Sequence, residues 1–187
     1  VYKRQHSDLV VVHIDAHTDT YRGDGNQDYM RFNVATTFTR AAEEALIDVE
    51  SSIHVGARGP TNDSGVFNHT RDVGYGLIDG TELFNAGLRN TAKNIVESLK
   101  GRSVYLCFDM DFFDPSCAPG VCTPTWGGAT SREGLDFLQN LTGLNLVGAD
   151  INTVSPPHDI SGMTAFLAAT VGLEILSVIC HSKGLVE

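Results

Sequence analysis

The chain has 187 residues, of which 42% are hydrophobic and 19% charged, a composition typical of a globular domain and unlike disordered, collagen-like or coiled-coil chains. Its 23 acidic residues outnumber the 13 basic ones, for a formal net charge of −10, which disfavours nucleic acid as a partner because phosphate binding needs clustered cations. We expect no secretory leader and no membrane span, judging that no apolar run is long enough to cross a bilayer. The four cysteines lack disulfide-scaffold or C-x-x-C spacing, so a single cytoplasmic domain over residues 1–187 is predicted.

Short β-rich runs alternate along the chain with longer amphipathic segments. The sequence predicts strands at 9–15, 52–57, 74–78, 103–109 and 145–151, and helices at 35–47, 81–100, 131–141 and 161–178. Thr130-Ser-Arg-Glu133 fits a capping box at the start of the third helix. This alternation predicts an α/β fold with a mostly parallel sheet between helices, whose strands all end at one edge. Ligands of such sheets bind at that edge.

The first predicted strand, Leu9 to Asp15, is apolar on both faces, as a central strand of a parallel sheet should be. It starts only a few residues into the sequence, although a central strand needs neighbours on both sides. We therefore expect the 187 residues to be the C-terminal portion of a longer chain. Two loops rich in turn residues, 21–33 and 114–128, follow predicted strands and are candidates to carry binding residues.

Acidic residues and one histidine follow two of the predicted strands. Asp15, His17 and Asp19 lie two residues apart and share one side if the backbone stays extended, and Asp109 and Asp111 do the same after the fourth strand. The first group alone is equally compatible with a strand end whose acids are solvated. The second pair favours a metal site, because four clustered carboxylates repel one another unless a cation compensates them.

Carboxylate and imidazole ligands without a thiolate favour Mn²⁺, with Ni²⁺ or another divalent ion as alternatives, over a structural zinc ion. With this many acids, two ions that share bridging carboxylates are favoured over one. Two ions about 3.5–4 Å apart can generate a hydroxide at neutral pH and stabilise a tetrahedral centre. The sequence therefore predicts a hydrolase.

Three motifs follow one another in fixed order through most of the chain. They are Asp15-Ala-His-Thr-Asp19, then Phe108-Asp-Met-Asp-Phe-Phe-Asp-Pro115, then Gly148-Ala-Asp150 leading to Ser155-Pro-Pro157. The order and content of these motifs resemble the ureohydrolases, the family of arginases and agmatinases, with the agmatinase branch nearest. This resemblance implies the three-layer α/β/α arginase architecture and hydrolysis of a small cationic guanidino compound to urea and an amine. It also implies a homo-oligomer, as is common in the family.

The resemblance assigns a role to each candidate metal ligand. Asp15 and Asp109 would bridge two Mn²⁺ ions, His17 and Asp111 would complete one ion, and Asp19 would bind the other. Asp19 would also act in catalysis, as a hydrogen-bond partner of the hydroxide between the ions. The family supplies one more histidine from a Gly-Gly-Asp-His motif, which does not occur in this sequence. We therefore expect these 187 residues by themselves to be weakly active or inactive.

The substrate pocket departs from the family pattern at two positions. Thr153 stands where ureohydrolases usually have a glutamate that accepts hydrogen bonds from the guanidinium, and Asn33 or Val34 stands near the place of a loop histidine of agmatinases. Trp126 is a candidate wall of the pocket or a packing anchor of its loop. The substrate could therefore be agmatine, free guanidine or a guanidino acid. The alternative to an enzyme is a catalytically silent homologue with a regulatory or assembly role.

Two further histidines receive structural interpretations. His13 shares the parity of Asp15 but lies earlier in the buried strand, so we expect a hydrogen-bonded histidine of the core, or one that supports a metal ligand, rather than a metal ligand itself. His54 has no ligand spacing, and we expect an ordinary surface or loop residue, as for His69, His158 and His181.

Overall fold

A computed structural model describes residues 2–23 and 28–185 of the chain. Within them, five parallel strands form one sheet in the order β3-β2-β1-β4-β5. The strands are β1 Val10–Ile14, β2 Ile53–Val55, β3 Gly76–Ile78, β4 Ser103–Asp109 and β5 Asn145–Asn152. Each lies inside or within one residue of a predicted β-rich run, so the predicted parallel sheet is confirmed.

Helices connect these strands. In the described ranges the α-helices are α1 Tyr2–Gln5, α2 Asp28–Arg31, α3 Thr37–Glu43, α4 Val66–Val73, α5 Gly80–Ala86, α6 Leu88–Ser98, α7 Ser131–Gln139 and α8 Met163–Ser182, with short 3₁₀ turns at Val34–Thr36, Met110–Phe112 and Pro156–His158. The predicted capping box of α7 is confirmed, because the Thr130 hydroxyl accepts from Glu133 N–H while the Glu133 carboxylate accepts from Thr130 N–H.

Three helical segments differ from their predictions. The single helix expected at 81–100 is two helices, since Gly87 has φ +84°, a left-handed conformation that ends α5. The helix expected at 35–47 begins with a 3₁₀ turn and ends at Glu43. Helix α4 was not predicted, because it is only eight residues long and most of them are polar. The segment predicted as a loop at 21–33 contains helix α2 near its C-terminal end. Residues 24–27 of this segment lie outside the described residues.

Helices cover both faces of the sheet and give the three-layer architecture. Alternate side chains of β1 point in opposite directions. Val10, Val12 and Ile14 enter a large core shared with α5, α6, α7 and α8. Leu9 and Val11 enter a smaller cluster on the other face, with Phe38 of α3. The expectation that β1 is buried on both faces is therefore confirmed.

Helix α8 shows that the expectation about apolar runs was wrong. The helix has 20 residues, and its most apolar 18-residue window has a mean hydropathy of 2.0, so it is long and apolar enough, by length and composition alone, to cross a membrane. A single such helix is weak evidence for a membrane span, because core helices of soluble proteins meet the same criterion. Here α8 packs against α7 and β5 and buries Val171, Ile175 and Val178.

The strand order creates a switch point at the centre of the sheet. After β1 the chain moves outward to β2 and then β3, and it returns to place β4 on the opposite side of β1. The connections that leave β1 and β4 therefore diverge and open a crevice at the carboxyl ends of these strands, where open α/β sheets bind ligands. Asp15 follows β1 directly and Asp109 ends β4, so both acids lie at this crevice.

Candidate metal centre

All five candidate metal ligands line one open cavity of about 1240 Å³ at the switch point: Asp15, His17, Asp19, Asp109 and Asp111. The three candidate substrate contacts, Asn33, Trp126 and Thr153, line the same cavity. The structure thus brings together residues that are up to 138 positions apart (153 − 15) in the sequence.

The first group reaches the cavity through a turn. Strand β1 ends at Ile14, and His17 N–H donates to Asp15 Oδ1 at 2.6 Å. Asp19 then has φ +49°, in the left-handed region. The expectation that an extended backbone places these side chains on one side was therefore wrong in its geometry, because a side chain that accepts from the backbone two residues onward favours a turn.

The second group makes the same local arrangement. Asp111 N–H donates to Asp109 Oδ1 at 2.9 Å, and Asp111 lies in the 3₁₀ turn that follows β4. Between them Met110 is fully buried and anchors the turn in the core. Ala16 N–H donates to Asp111 Oδ1 at 3.0 Å and so ties the end of β1 to the end of β4.

Among the residues that the structure describes, two overlapping groups of ligand atoms have the spacing of metal sites. In the first, Nδ1 of His17 lies 3.1 Å from Asp15 Oδ1 and 3.1 Å from Asp111 Oδ2. The second contains His13, Asp15 and Asp19. Within each group, one ligand atom from each residue lies within 4.8 Å of the others, so each group could hold an ion. Asp15 belongs to both groups.

The electrostatics of the cavity favour a bound cation. Burial and then the neighbouring Asp15 raise the pKa of Asp19 to about 6. Burial, Asp15 and Asp111 raise the pKa of Asp109 to about 8, and burial also raises the pKa of Asp111. Burial opposes a charge on His17, but hydrogen bonds to Asp111 and Asp15 outweigh it and raise the pKa to about 10. Protons on Asp109 and His17 offset part of the acidic charge at neutral pH, and a divalent ion fits the site because it can supply that positive charge instead.

Neighbouring side chains hold the metal-facing groups in place. The Thr123 hydroxyl donates to Asp111 Oδ2 at 3.1 Å, and Thr125 Oγ1 lies 3.5 Å from Nε2 of His17. Arg58, which sequence reasoning missed, donates from Nη2 to the backbone oxygens of Asp111 and Thr125, each at 2.8 Å. It thereby joins the end of β2 to both the acidic turn and the 114–128 loop.

The candidate substrate contacts have different surroundings. The Thr153 hydroxyl donates to Asp109 Oδ2, and Thr153 has φ +73°, which is unusual for a β-branched residue. The Asn33 side chain accepts from Ala35 N–H and donates to the Met30 carbonyl, so it caps the first 3₁₀ turn. Trp126 is 75% exposed at the cavity rim.

The structure confirms that His13 is a hydrogen-bonded core histidine, whereas the expectation that it is not a ligand stays a prediction, because it belongs to the second ligand group. The structure contradicts the interpretation of His54. His13 is buried, and its Nε2 lies 2.9 Å from Asp15 Oδ2. His54 is equally buried in β2, and its Nδ1 lies 2.8 Å from His13 Nδ1. The expectation of a surface or loop residue was wrong because residue 54 pairs in register with residue 13 of the neighbouring strand.

Comparison with known proteins now identifies the family. The family model described as the arginase family matches residues 1–177. The chain belongs to the arginase family. This finding confirms the resemblance to arginases and agmatinases and accounts for the parallel sheet with acidic motifs at its carboxyl edge.

Curated relatives and solved structures are similar over nearly the whole chain. A guanidinobutyrase from Pseudomonas aeruginosa is 34% identical over 95% of this chain and 54% of its own length, and an agmatinase from Neisseria meningitidis is 35% identical over 94% and 53%. A hypothetical agmatinase from Burkholderia thailandensis has a TM-score of 0.84 and 33% identity over 98% of this chain and 55% of its own. Proclavaminate amidino hydrolase from Streptomyces clavuligerus has a TM-score of 0.86 and 35% identity over 96% and 58%. The chain therefore spans about half the length of the curated relatives it matches.

Proposed function

We propose that this chain is part of an agmatinase-like ureohydrolase that uses divalent metal ions to hydrolyse a guanidino compound to urea and an amine. One observation carries the proposal: Asp15, His17, Asp19, Asp109 and Asp111 line a single cavity at the switch point of an arginase-family fold. The names of the relatives, agmatinase and guanidinobutyrase, support the substrate class. We further propose a cytoplasmic homo-oligomer without nucleic-acid or membrane partners.

The five side chains suggest how ions would be held. His17 and Asp111 would bind one ion and Asp19 the other, with Asp15 and Asp109 shared, and two Mn²⁺ ions suit these oxygen and nitrogen ligands. When bound, such ions lower the pKa of a shared water and supply a nucleophile near neutral pH. Asp19 would also accept a hydrogen bond from that water and so take part in catalysis.

The charge of the chain also suits the substrate class. A guanidinium is a planar cation, and a formal net charge of −10 favours the approach of cations. Trp126 and Asn33 lie where they could contact the rest of the substrate. Thr153 also lines the cavity, and its hydroxyl donates to Asp109. At this position the cavity therefore has a neutral side chain where the family usually has a carboxylate.

Urea release by the intact, Mn²⁺-loaded protein tests the proposed activity. We expect turnover of at least one compound among agmatine, 4-guanidinobutyrate, arginine and guanidine, and loss of that turnover in excess EDTA. Protein that contains bound metal and releases no urea from any of them would instead support a silent homologue, the alternative that the Thr153 substitution motivates.

Replacing Thr153 by glutamate should raise the efficiency with which a guanidino substrate is hydrolysed. A carboxylate there can make a charge-assisted, bidentate contact with a guanidinium, roughly twice as strong as a neutral one. We expect kcat/KM for the guanidino compound that the wild type hydrolyses to rise by about tenfold, a change of ~1.4 kcal/mol. Thr153→Ser, which keeps the hydroxyl, is the matched control and should leave kcat/KM near that of the wild type. An unchanged kcat/KM in Thr153→Glu would show that residue 153 does not contact the guanidinium.

A further inference from the structure

A buried pair of histidines lies behind the candidate metal centre. His13 of β1 and His54 of β2 occupy paired positions of adjacent parallel strands, so their side chains lie on the same face of the sheet. Each is only 1% exposed. The two Nδ1 atoms are 2.8 Å apart, and Nε2 of His13 is 2.9 Å from Asp15 Oδ2. The contacts form a continuous chain from His54 through His13 to Asp15.

The hydrogen-bond chemistry fixes the direction of the contact with Asp15. An ionised carboxylate only accepts hydrogen bonds, so Nε2 of His13 must carry the hydrogen and donate. His13 Nδ1 then shares one proton with His54 Nδ1, and this contact holds the His13 ring plane in place whichever nitrogen is the donor. His13 therefore cannot rotate without losing a partner at each end.

Aromatic packing holds the far end of the chain. The His54 ring meets Phe38 edge-on at 4.9 Å and Tyr75 edge-on at 4.8 Å, and His13 lies 4.4 Å from Phe38. The Tyr75 hydroxyl donates to the Phe38 backbone oxygen at 2.8 Å, which fixes this aromatic wall. Among the described residues, Nε2 of His54 has no hydrogen-bond partner. Burying such a polar atom costs roughly 1–3 kcal/mol, which an apolar residue at position 54 would avoid.

The Asp15 carboxylate divides its two oxygens between opposite sides. Oδ2 faces His13, whereas Oδ1 faces the His17 backbone N–H and imidazole. His17 also contacts Asp111, so Oδ1 points into one of the two candidate ligand groups. A hydrogen bond that restrains one oxygen orients the other.

We propose that His13 and His54 are positioning residues that hold Asp15 Oδ2 and thereby orient Asp15 for binding a divalent ion. This inference rests on the proposed function, in which Asp15 is a metal ligand. Neither histidine would contact substrate. Hydrogen-bond partners of metal ligands typically change metal affinity by about 10–100-fold when removed, and the pair is expected to act at that scale.

Mn²⁺ titration of the chelator-treated, intact protein by calorimetry tests the pair. We expect His13→Phe, which preserves ring size and removes the donor, to weaken Mn²⁺ binding by about 10–100-fold. His13→Gln should stay within about threefold of the wild type, because the glutamine amide can donate from the position of Nε2. His54→Phe should weaken binding by a smaller factor, about 3–10-fold, because it removes only the support of His13.

Melting temperatures without metal separate positioning from simple core packing. If the two histidines only pack the core, His13→Phe should lower the melting temperature without changing Mn²⁺ affinity, and His13→Gln should not restore the melting temperature. That result would overturn the proposal. His181→Gln, an exposed change on α8, is the matched control and should bind Mn²⁺ like the wild type. If His13→Phe does not fold, wild-type Mn²⁺ affinity in His54→Phe overturns the proposal.

A wild-type protein that binds no Mn²⁺ would contradict the metal site itself. This outcome distinguishes failure of the proposed function from failure of the proposed positioning role of His13 and His54.

Discussion

Replacing Asp15 by asparagine is expected to lower kcat/KM for urea release by at least about a thousandfold, or ~4 kcal/mol of barrier. Asp15 belongs to both candidate ligand groups, and its two oxygens contact His17 and His13. Asparagine keeps the shape of the side chain but removes the charge that binds a cation. The loss should therefore appear in metal content, measured by mass spectrometry of the purified protein, as well as in the steady-state rate.

Asp79→Asn is the matched control for this substitution. Asp79 is the N-cap of α5 and accepts from Glu82 N–H, and asparagine caps helices as well as aspartate does. Asp79 lies outside the residues that line the cavity. We expect wild-type rate and metal content. An Asp15→Asn protein that retains both would contradict the assignment of Asp15 as a metal ligand.

Replacing Asp109 by asparagine is expected to stabilise the metal-free protein at pH 8 and to remove the stability that metal provides. Burial, with Asp15 and Asp111, raises the pKa of Asp109 from 3.8 to about 8. A group whose pKa is higher in the folded state contributes stability fully below its unfolded pKa and loses it as the pH rises through the folded pKa. The metal-free wild type therefore loses the contribution of Asp109 between about pH 4 and pH 8, and asparagine, which does not ionise, avoids this loss.

Thermal unfolding in EDTA and in Mn²⁺ measures both effects. In EDTA we expect Asp109→Asn to melt about 5 °C above the wild type at pH 8, for a gain of ~2 kcal/mol, and the gap to narrow towards pH 4. In Mn²⁺ the order should reverse, because only the wild type binds the ion with a full set of carboxylates.

Asp159→Asn provides a control with the opposite sign. Burial counts against the Asp159 charge, but backbone N–H groups of Ala165 and Thr164 outweigh it and lower its pKa. Its replacement should therefore give no gain at pH 8. If Asp109→Asn melts below the wild type with and without metal, Asp109 is a structural acid and not one held for a cation.

The sequence predicted the edge of the sheet at which the site lies, because that prediction needs only one rule. Parallel strands place their carboxyl ends at one edge, and the pairing of β1 with β4 then brings Asp15 and Asp109 together. The apolar character of β1 on both faces identified a central strand, and the structure confirms it.

The local geometry of the site was less predictable. Spacing by two suggested an extended backbone, but Asp15 and Asp109 each accept a hydrogen bond from the backbone N–H two residues onward, which bends the chain. Turn-forming contacts of this kind depend on the rotamer of the aspartate, and the spacing of residues does not specify it.

The buried histidine pair could not be predicted either. His13 and His54 are separated by 41 residues, and their contact depends on the register between β1 and β2. Register is set by the packing of the whole strands and not by any residue near position 54. The alternation of residue types in so short a strand, Ile53–Val55, carries no signal for it.

Anomalous diffraction from Mn²⁺-loaded crystals of the intact protein, collected at the manganese edge, would show whether these five side chains bind metal. We predict two strong peaks in the cavity, both within coordination distance of Asp15 and Asp109, with His17 and Asp111 at one peak and Asp19 at the other. Peaks only elsewhere, or none beside these five side chains in a protein that releases urea, would contradict that prediction.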